Sequence, residues 1–161
     1  MNPVGNVASA IGKGLAAGLA GTAAMTISST LEAKLRGRAP SSAPARATAK
    51  MLGIREFEDG RAAARFNDLS HWGYGTSWGA LRGLLAVAGL PPRRATAAHG
   101  AAIYGAAQVT LPALEIAPPL VFWPKREIAI DAFHHLVYAT ATGLAYELID
   151  GRHNGRDASG S

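Results

Sequence analysis

The sequence predicts an all-α fold, a bundle of four transmembrane helices, and three observations lead to this prediction. Charged residues make up only 17% of the 161 residues, against about 25% in a typical soluble domain. The charges are clustered, so charge-free stretches alternate with charged ones. A helix needs ~20 mainly apolar residues to cross the hydrocarbon core of a bilayer, and the apolar segments approach that length. The chain length fits a single domain, predicted over residues 1–150.

Each predicted helix follows from one of these stretches. Helices are expected at 8–31, 69–90, 95–115 and 127–148. The first contains the charge-free run 14–31, and the second has Arg82 as its only charge. The third is free of charge through residue 114, and the fourth has Asp131 near its start. A soluble helical bundle would instead show polar outer faces with regular Glu/Lys pairs, which these segments lack.

The connections between the helices are polar or rich in proline. Residues 32–68 form a basic loop, in which a short interfacial helix is one option. A tight turn is expected at 91–94, where two prolines precede two arginines. Residues 112–126 contain four prolines, and a regular helix cannot run unbroken through Pro118 and Pro119. This stretch is therefore expected to cap the third helix at the interface, with Phe122 and Trp123 at the level of the lipid headgroups. The glycine-rich segment 151–161 is predicted to be a disordered tail.

The distribution of basic residues predicts the topology. The first and third loops lie on the same side of a four-span protein and together hold ten Lys and Arg residues. The other side holds four. Because cytoplasmic loops carry the excess of Lys and Arg, the basic loop is expected in the cytoplasm and both termini outside.

Glycines recur at a spacing of four in two helices. Gly14 and Gly18 lie on one side of the first helix, and Gly75, Gly79 and Gly83 on one side of the second. Such rows let helix backbones approach closely in lipid. Two interpretations follow: packing within the bundle, which is favoured, or a homodimer interface.

Polar side chains form a stripe on the fourth helix. Asp131, His135 and Tyr138 share one face, with His134 at its edge. Asp131 lies roughly 6 Å in from the loop side and His71 of the second helix about 3 Å in, from the helical rise. One shallow layer near the cytoplasmic face is therefore expected to contain His71, Asp131, His134 and His135.

Arg82 is expected at a different depth, roughly 12 Å from the outer end of the second helix. A buried, unpaired arginine is costly in a membrane. The side chain should therefore extend to the interface or meet Tyr138, Thr142 or Glu147 in the interior. His99 is a second candidate neighbour.

Three functions fit the candidate polar cluster, which consists of His71, Asp131, His134, His135, Tyr138 and Arg82. The favoured one is non-enzymatic, with the polar groups joining helices in a structural, accessory or stress-related membrane protein. The second is a proton or small-solute carrier or channel with a relay through Asp131, His135 and Tyr138. The third is a metalloprotein or haem protein, with His71, Asp131, His134 and His135 as the ligands.

Several classes of function are excluded or disfavoured. The chain has no cysteine, which excludes disulfides and thiolate chemistry. It has no HExxH, Walker or dinucleotide-binding motif, so no catalytic residues and no cofactor are predicted. The net charge of +5 comes without a dense basic run interleaved with aromatics. The lipid bilayer is therefore the expected partner rather than nucleic acid, with a homo-oligomer or a larger membrane complex as further possibilities.

Three segments carry a family resemblance: GLAAGLAGTAAMT, HWGYGTSWGALRG and HHLVYATATGLAYELID, which begin at residues 14, 71 and 134. They resemble segments of small bacterial inner membrane proteins of the YagU-like type. The resemblance covers most of the chain. It implies a multipass fold in the inner membrane and a link to acid stress, and it implies no catalytic residues.

Overall fold

A computed structural model describes residues 2–39 and 41–159, with side chains through residue 151. The described chain is all-helical, which confirms the predicted fold class, and no strand occurs in these residues. Its five α-helices are α1 (Pro3–Leu35), α2 (Ala43–Leu52), α3 (Gly60–Val87), α4 (Pro92–Ala113) and α5 (Lys125–Ser159). A single 3-10 turn, Leu120–Phe122, lies between α4 and α5.

Each long helix begins before its predicted range, because polar residues end a hydrophobic span without ending a helix. Two of them are also shorter than predicted at the other end: α3 ends at Val87 instead of residue 90, and α4 ends at Ala113 instead of residue 115. At the start of α3, the Asp59 side chain accepts a hydrogen bond of 2.7 Å from the backbone N–H of Ala62. This cap moves the start of the helix into the segment predicted as basic loop. Similarly, α4 begins at Pro92, where proline is favoured in the first turn, and not at residue 95. Helix α5 runs to Ser159, past residue 148 and into the predicted tail.

The basic loop contains a helix of its own. Helix α2 is capped after Leu52 by Gly53, whose φ of 70° is a left-handed conformation that glycine adopts without strain. This helix packs mainly against α3. The Lys50 ammonium group joins it to the α4–α5 connection, donating to the Leu114 carbonyl oxygen at 2.7 Å and to Glu115 at 3.0 Å.

The four long helices run antiparallel to their neighbours in sequence. Helix α1 packs along α3 and α5, and α5 also packs against α4. The loop end of the bundle carries residues 36–39, 41–59 and 114–124. The opposite end, called the turn end, carries Asn2 and the α3–α4 turn at residues 88–91.

The glycine rows face each other between α1 and α3. A Cβ atom added to Gly79 would lie 2.6 Å from the Cα atom of Gly18. One added to Gly18 would lie 2.6 Å from the Thr76 carbonyl oxygen, and one on Gly83 would lie 2.7 Å from the Ala10 carbonyl carbon. The two rows therefore contact each other within the chain, the arrangement that the favoured interpretation describes.

The interior holds small and polar side chains, and many large apolar side chains are exposed. The largest fully buried side chains belong to Arg82, Tyr138, His99, Thr22 and Thr142, whereas most buried hydrophobic residues are alanines. Large apolar side chains lie on the outside, as on α5, where Leu136, Leu144 and Phe133 are 64%, 63% and 55% exposed.

One helix of the described chain, α1, is long and apolar enough by length and composition to cross a membrane. The sequence predicted four such helices. The other long helices do not reach that apolar composition in any 18-residue window.

Candidate functional site

A chamber of about 700 Å³ lies at the loop end of the bundle, and all five helices contribute to its wall. Five of the six side chains in the predicted polar cluster line this chamber: His71, Asp131, His134, His135 and Tyr138. The sixth side chain, that of Arg82, does not line the chamber.

His71 of α3 contacts α1 through a hydroxyl group. Its Nε2 atom lies 2.8 Å from Thr26 Oγ1. The single hydroxyl hydrogen of Thr26 is donated to the Thr22 carbonyl oxygen at 2.7 Å. His71 Nε2 must therefore be the donor to Thr26, and Nδ1 of the neutral ring keeps its lone pair.

His134 has the same arrangement on α5. The Ser28 hydroxyl donates to the Met25 carbonyl oxygen at 3.0 Å, so His134 Nδ1 donates to Ser28 Oγ at 2.9 Å. The remaining nitrogen, Nε2, is buried without a hydrogen-bond partner and lies 3.8 Å from a carboxylate oxygen of Glu32. A proton taken up at Nε2 would face this carboxylate.

Asp131 and His135 occupy the α4 side of the chamber. A carboxylate oxygen of Asp131 accepts a hydrogen bond of 3.0 Å from Gln108 Nε2. His135 Nδ1 donates to the Asp131 backbone carbonyl oxygen at 2.9 Å, which leaves its Nε2 atom as the acceptor. The ring of Tyr104 lies edge-on to His135, with centroids 5.1 Å apart.

Tyr138 forms the floor of the chamber. Its hydroxyl group donates to the Gly75 carbonyl oxygen at 2.6 Å, and its side chain is buried. Behind it, the ring of His99 lies 5.5 Å from the ring of Tyr138. His99 Nε2 donates to the Trp78 carbonyl oxygen at 3.1 Å, and its Nδ1 atom is buried without a partner.

Arg82 lies beyond His99, towards the turn end, and is fully buried. Its Nη2 atom donates to Glu147 Oε1 at 2.5 Å, so Arg82 meets one of the three partners that the sequence offered. The guanidinium carbon also lies 4.6 Å from the centre of the Tyr146 ring, a cation–π contact. Arg82 Nε and Nη1 have no partner.

An ion cluster lies at the mouth of the chamber, where α1 ends and α5 begins. Arg36 donates to Glu32 at 2.8 Å and to Glu127 at 2.5 and 3.0 Å, and Arg38 also pairs with Glu32. Hydrogen bonds from Arg38 and then from Arg36 lower the pKa of Glu32 to about 2, because they stabilise the carboxylate form. This cluster fixes the end of α1 against the start of α5.

The geometry does not favour a metal site. Within the described part of the chain, no group of three or more His, Asp or Glu side chains is arranged to hold a metal ion. His71, His134 and His135 each have one nitrogen engaged with an oxygen of a helix. The four side chains predicted as ligands thus share a chamber without converging on one point.

Sequence reasoning missed two side chains of the site. Gln108 binds Asp131, and Ser28 fixes the tautomer of His134. Gln108 is the only amide side chain in the charge-free stretch 95–114, a signal that could have identified it. Ser28 lies among several hydroxyl residues of α1, and no pattern separates it from its neighbours.

No family model matches the chain, and no curated protein or solved structure matches it. The resemblance to YagU-like proteins therefore stays a prediction. Any function for this chain has to be argued from its own residues.

Proposed function

We propose that this chain is a multipass membrane protein in which α1, α3, α4 and α5 each cross the bilayer, with the loop end in the cytoplasm of a bacterial cell. The observation that best supports this proposal is that polar side chains are buried in the bundle while large apolar side chains are exposed on its outside. Soluble proteins bury Leu, Ile and Phe, and they almost never fully bury Arg unless it is paired, as Arg82 is with Glu147. Here Arg82 is fully buried while Phe133 and Leu136 are exposed, which suits a bundle dissolved in lipid, where polar groups face the interior.

Fractionation and labelling test the membrane assignment. The protein should stay in the membrane fraction after a carbonate wash and be released only by detergent. The chain has no cysteine, so single cysteines can report topology. Ala88→Cys at the turn end should react with an impermeant maleimide in intact cells, and Glu56→Cys at the loop end only after permeabilisation. Recovery of the protein in the soluble fraction would contradict the proposal.

Within this bundle, the chamber carries protons, alone or together with a small polar solute. The support is the state of its imidazoles. In His71, His134 and His135, one nitrogen is held as a donor to an oxygen of a helix, and the other is left to accept. Histidine gains and loses protons near neutral pH.

Proton flux into liposomes tests this role. Purified protein is reconstituted with a pH-sensitive dye inside the vesicles, and a potassium gradient with valinomycin drives proton entry. The wild type should acidify the lumen faster than protein-free vesicles, and Asp131→Asn should reduce the rate at least tenfold. Glu115→Gln, which removes an exposed carboxylate at the same end but outside the chamber, should leave the rate unchanged. A wild-type rate equal to that of protein-free vesicles would contradict the carrier role.

The structural or accessory role expected from the sequence stays a prediction. It would be supported by a partner that co-purifies in mild detergent at a fixed stoichiometry, with no proton flux from the isolated chain.

A further inference from the structure

Five buried side-chain atoms in the described part of the chain have no hydrogen-bond partner, and all lie in the bundle interior. They are Arg82 Nε, Arg82 Nη1, His99 Nδ1, His134 Nε2 and Thr142 Oγ1. Buried polar atoms almost always have a partner, so these five atoms require an explanation.

These atoms follow α5 from the loop end towards the turn end. His134, Tyr138 and Thr142 are spaced by four and share a face of the helix. His99 packs against Tyr138, and Arg82 reaches α5 one turn further on, at Tyr146 and Glu147. The unpartnered atoms thus begin at the chamber and continue behind its floor.

Water fits these atoms better than an anion does. Arg82 offers N–H donors, His99 Nδ1 is an acceptor because Nε2 donates to Trp78, and the Thr142 hydroxyl can do both. A water molecule donates and accepts, and it commonly occupies buried sites with two to four polar partners. An anion would add charge to an interior where Glu147 already balances Arg82.

The row of polar side chains ends at an opening. The Glu147 side chain is 44% exposed and lines a groove of about 630 Å³ between α4 and α5 that reaches Pro92 and Arg93 at the turn end. From Asp131 to Glu147 the helical rise is about 24 Å. This covers most of the ~30 Å hydrocarbon core.

We propose that His99, Thr142 and Arg82 hold a file of water behind Tyr138, and that Glu147 is the group through which protons exchange with the turn end. This inference rests on the proposed function and adds the second half of its route. A proton that reaches His99 Nδ1 from the chamber passes along the file to the Glu147 carboxylate, which releases it to bulk water. Only N–H and O–H bonds form and break, and each acceptor returns to its starting state. Arg82 acts as a positioning residue that orients Glu147.

The flux assay tests the exit group with a matched control. Glu147→Gln should lower proton flux at least tenfold. Asp150→Asn removes a carboxylate three residues further along α5, which pairs with Lys13 at 2.9 Å, and should leave the flux unchanged. Thr142→Val keeps the shape of the side chain and should also lower the flux, which covers the case in which Glu147→Gln fails to fold. Wild-type flux in Glu147→Gln or in Thr142→Val would overturn the proposed route.

Silver ions test the water file separately from the chamber, because they are small and react with thiols. In the cysteine-free background, silver should block flux in both Ser29→Cys, which lines the chamber, and Thr142→Cys, but not in the wild type. Block of Ser29→Cys alone would overturn the water file and leave the chamber as the carrier site. Absence of flux in the wild type would overturn both this inference and the proposed function.

Discussion

A methyl group added to the α1–α3 interface should separate the two helices, whereas the same group added elsewhere on α3 should stabilise the protein. The variants that test this are Gly79→Ala and Gly73→Ala. A Cβ atom at Gly79 would lie 2.6 Å from the Cα atom of Gly18, and one at Gly73 has no atom within 4 Å. Both glycines lie inside α3, so the pair differs mainly in what the new methyl group contacts.

The expected change in the free energy of unfolding is the sum of two opposing contributions. Replacing glycine by alanine in a helix gains about 1 kcal/mol through the loss of backbone freedom in the unfolded chain, and this gain applies to both variants. Carbon atoms pack at about 3.5–4.0 Å, so Gly79→Ala requires the backbones to move apart by about 1 Å. Overpacking of this kind costs about 1–3 kcal/mol. The two variants should therefore differ by about 1–3 kcal/mol, with Gly73→Ala the more stable.

The free energy of unfolding can be measured in mild detergent by titration with sodium dodecyl sulfate, followed by circular dichroism. Gly105→Ala, on α4 with no atom within 4 Å of the added methyl group, serves as a second control. Equal stability of Gly79→Ala and Gly73→Ala would refute the assignment of the glycine rows to contact between α1 and α3.

Three further predictions concern the chamber and the outer face. Tyr138→Phe removes the hydrogen bond to the Gly75 carbonyl oxygen and should lower the free energy of unfolding by about 1 kcal/mol in the same titration. The lowered pKa of Glu32 means that the unfolded chain binds more protons than the folded one as the pH falls from about 4.5 to about 2. The melting temperature of the detergent-solubilised protein should therefore fall as the pH is lowered from about 4.5 to about 2. The Glu32→Gln variant has no carboxylate at this position, so its melting temperature should depend less on pH in this range. Leu136→Lys places a charge on an exposed side chain; in a soluble protein this is nearly neutral, but against lipid it should cost about 3 kcal/mol and sharply reduce the amount of protein in washed membranes. Wild-type membrane levels for this variant would count against contact between α5 and lipid.

The sequence by itself determined the helices and the chemistry available inside them. Charge-free stretches identified the four long helices, because the hydropathy of a segment is a local property that needs no knowledge of its neighbours. The same stretches made Arg82 and Asp131 conspicuous, since each stands nearly alone among apolar residues. Helix ends were less accurate, because capping by Asp59 and the polar residues that follow it extend α3 beyond its apolar part.

Only the tertiary structure decided which of these groups meet. Periodicity places residues on a face of one helix, but the rotation and offset of each helix against the others come from the packing of all of them together. This packing brings α1 and α3 close together at Gly18 and Gly79. It also forms the chamber at the loop end. The proton positions on His71 and His134 depend on hydroxyl groups of α1 that are already bonded to their own helix. Such pairings join residues about 45 and 106 positions apart, a separation at which a linear pattern carries no information about contact.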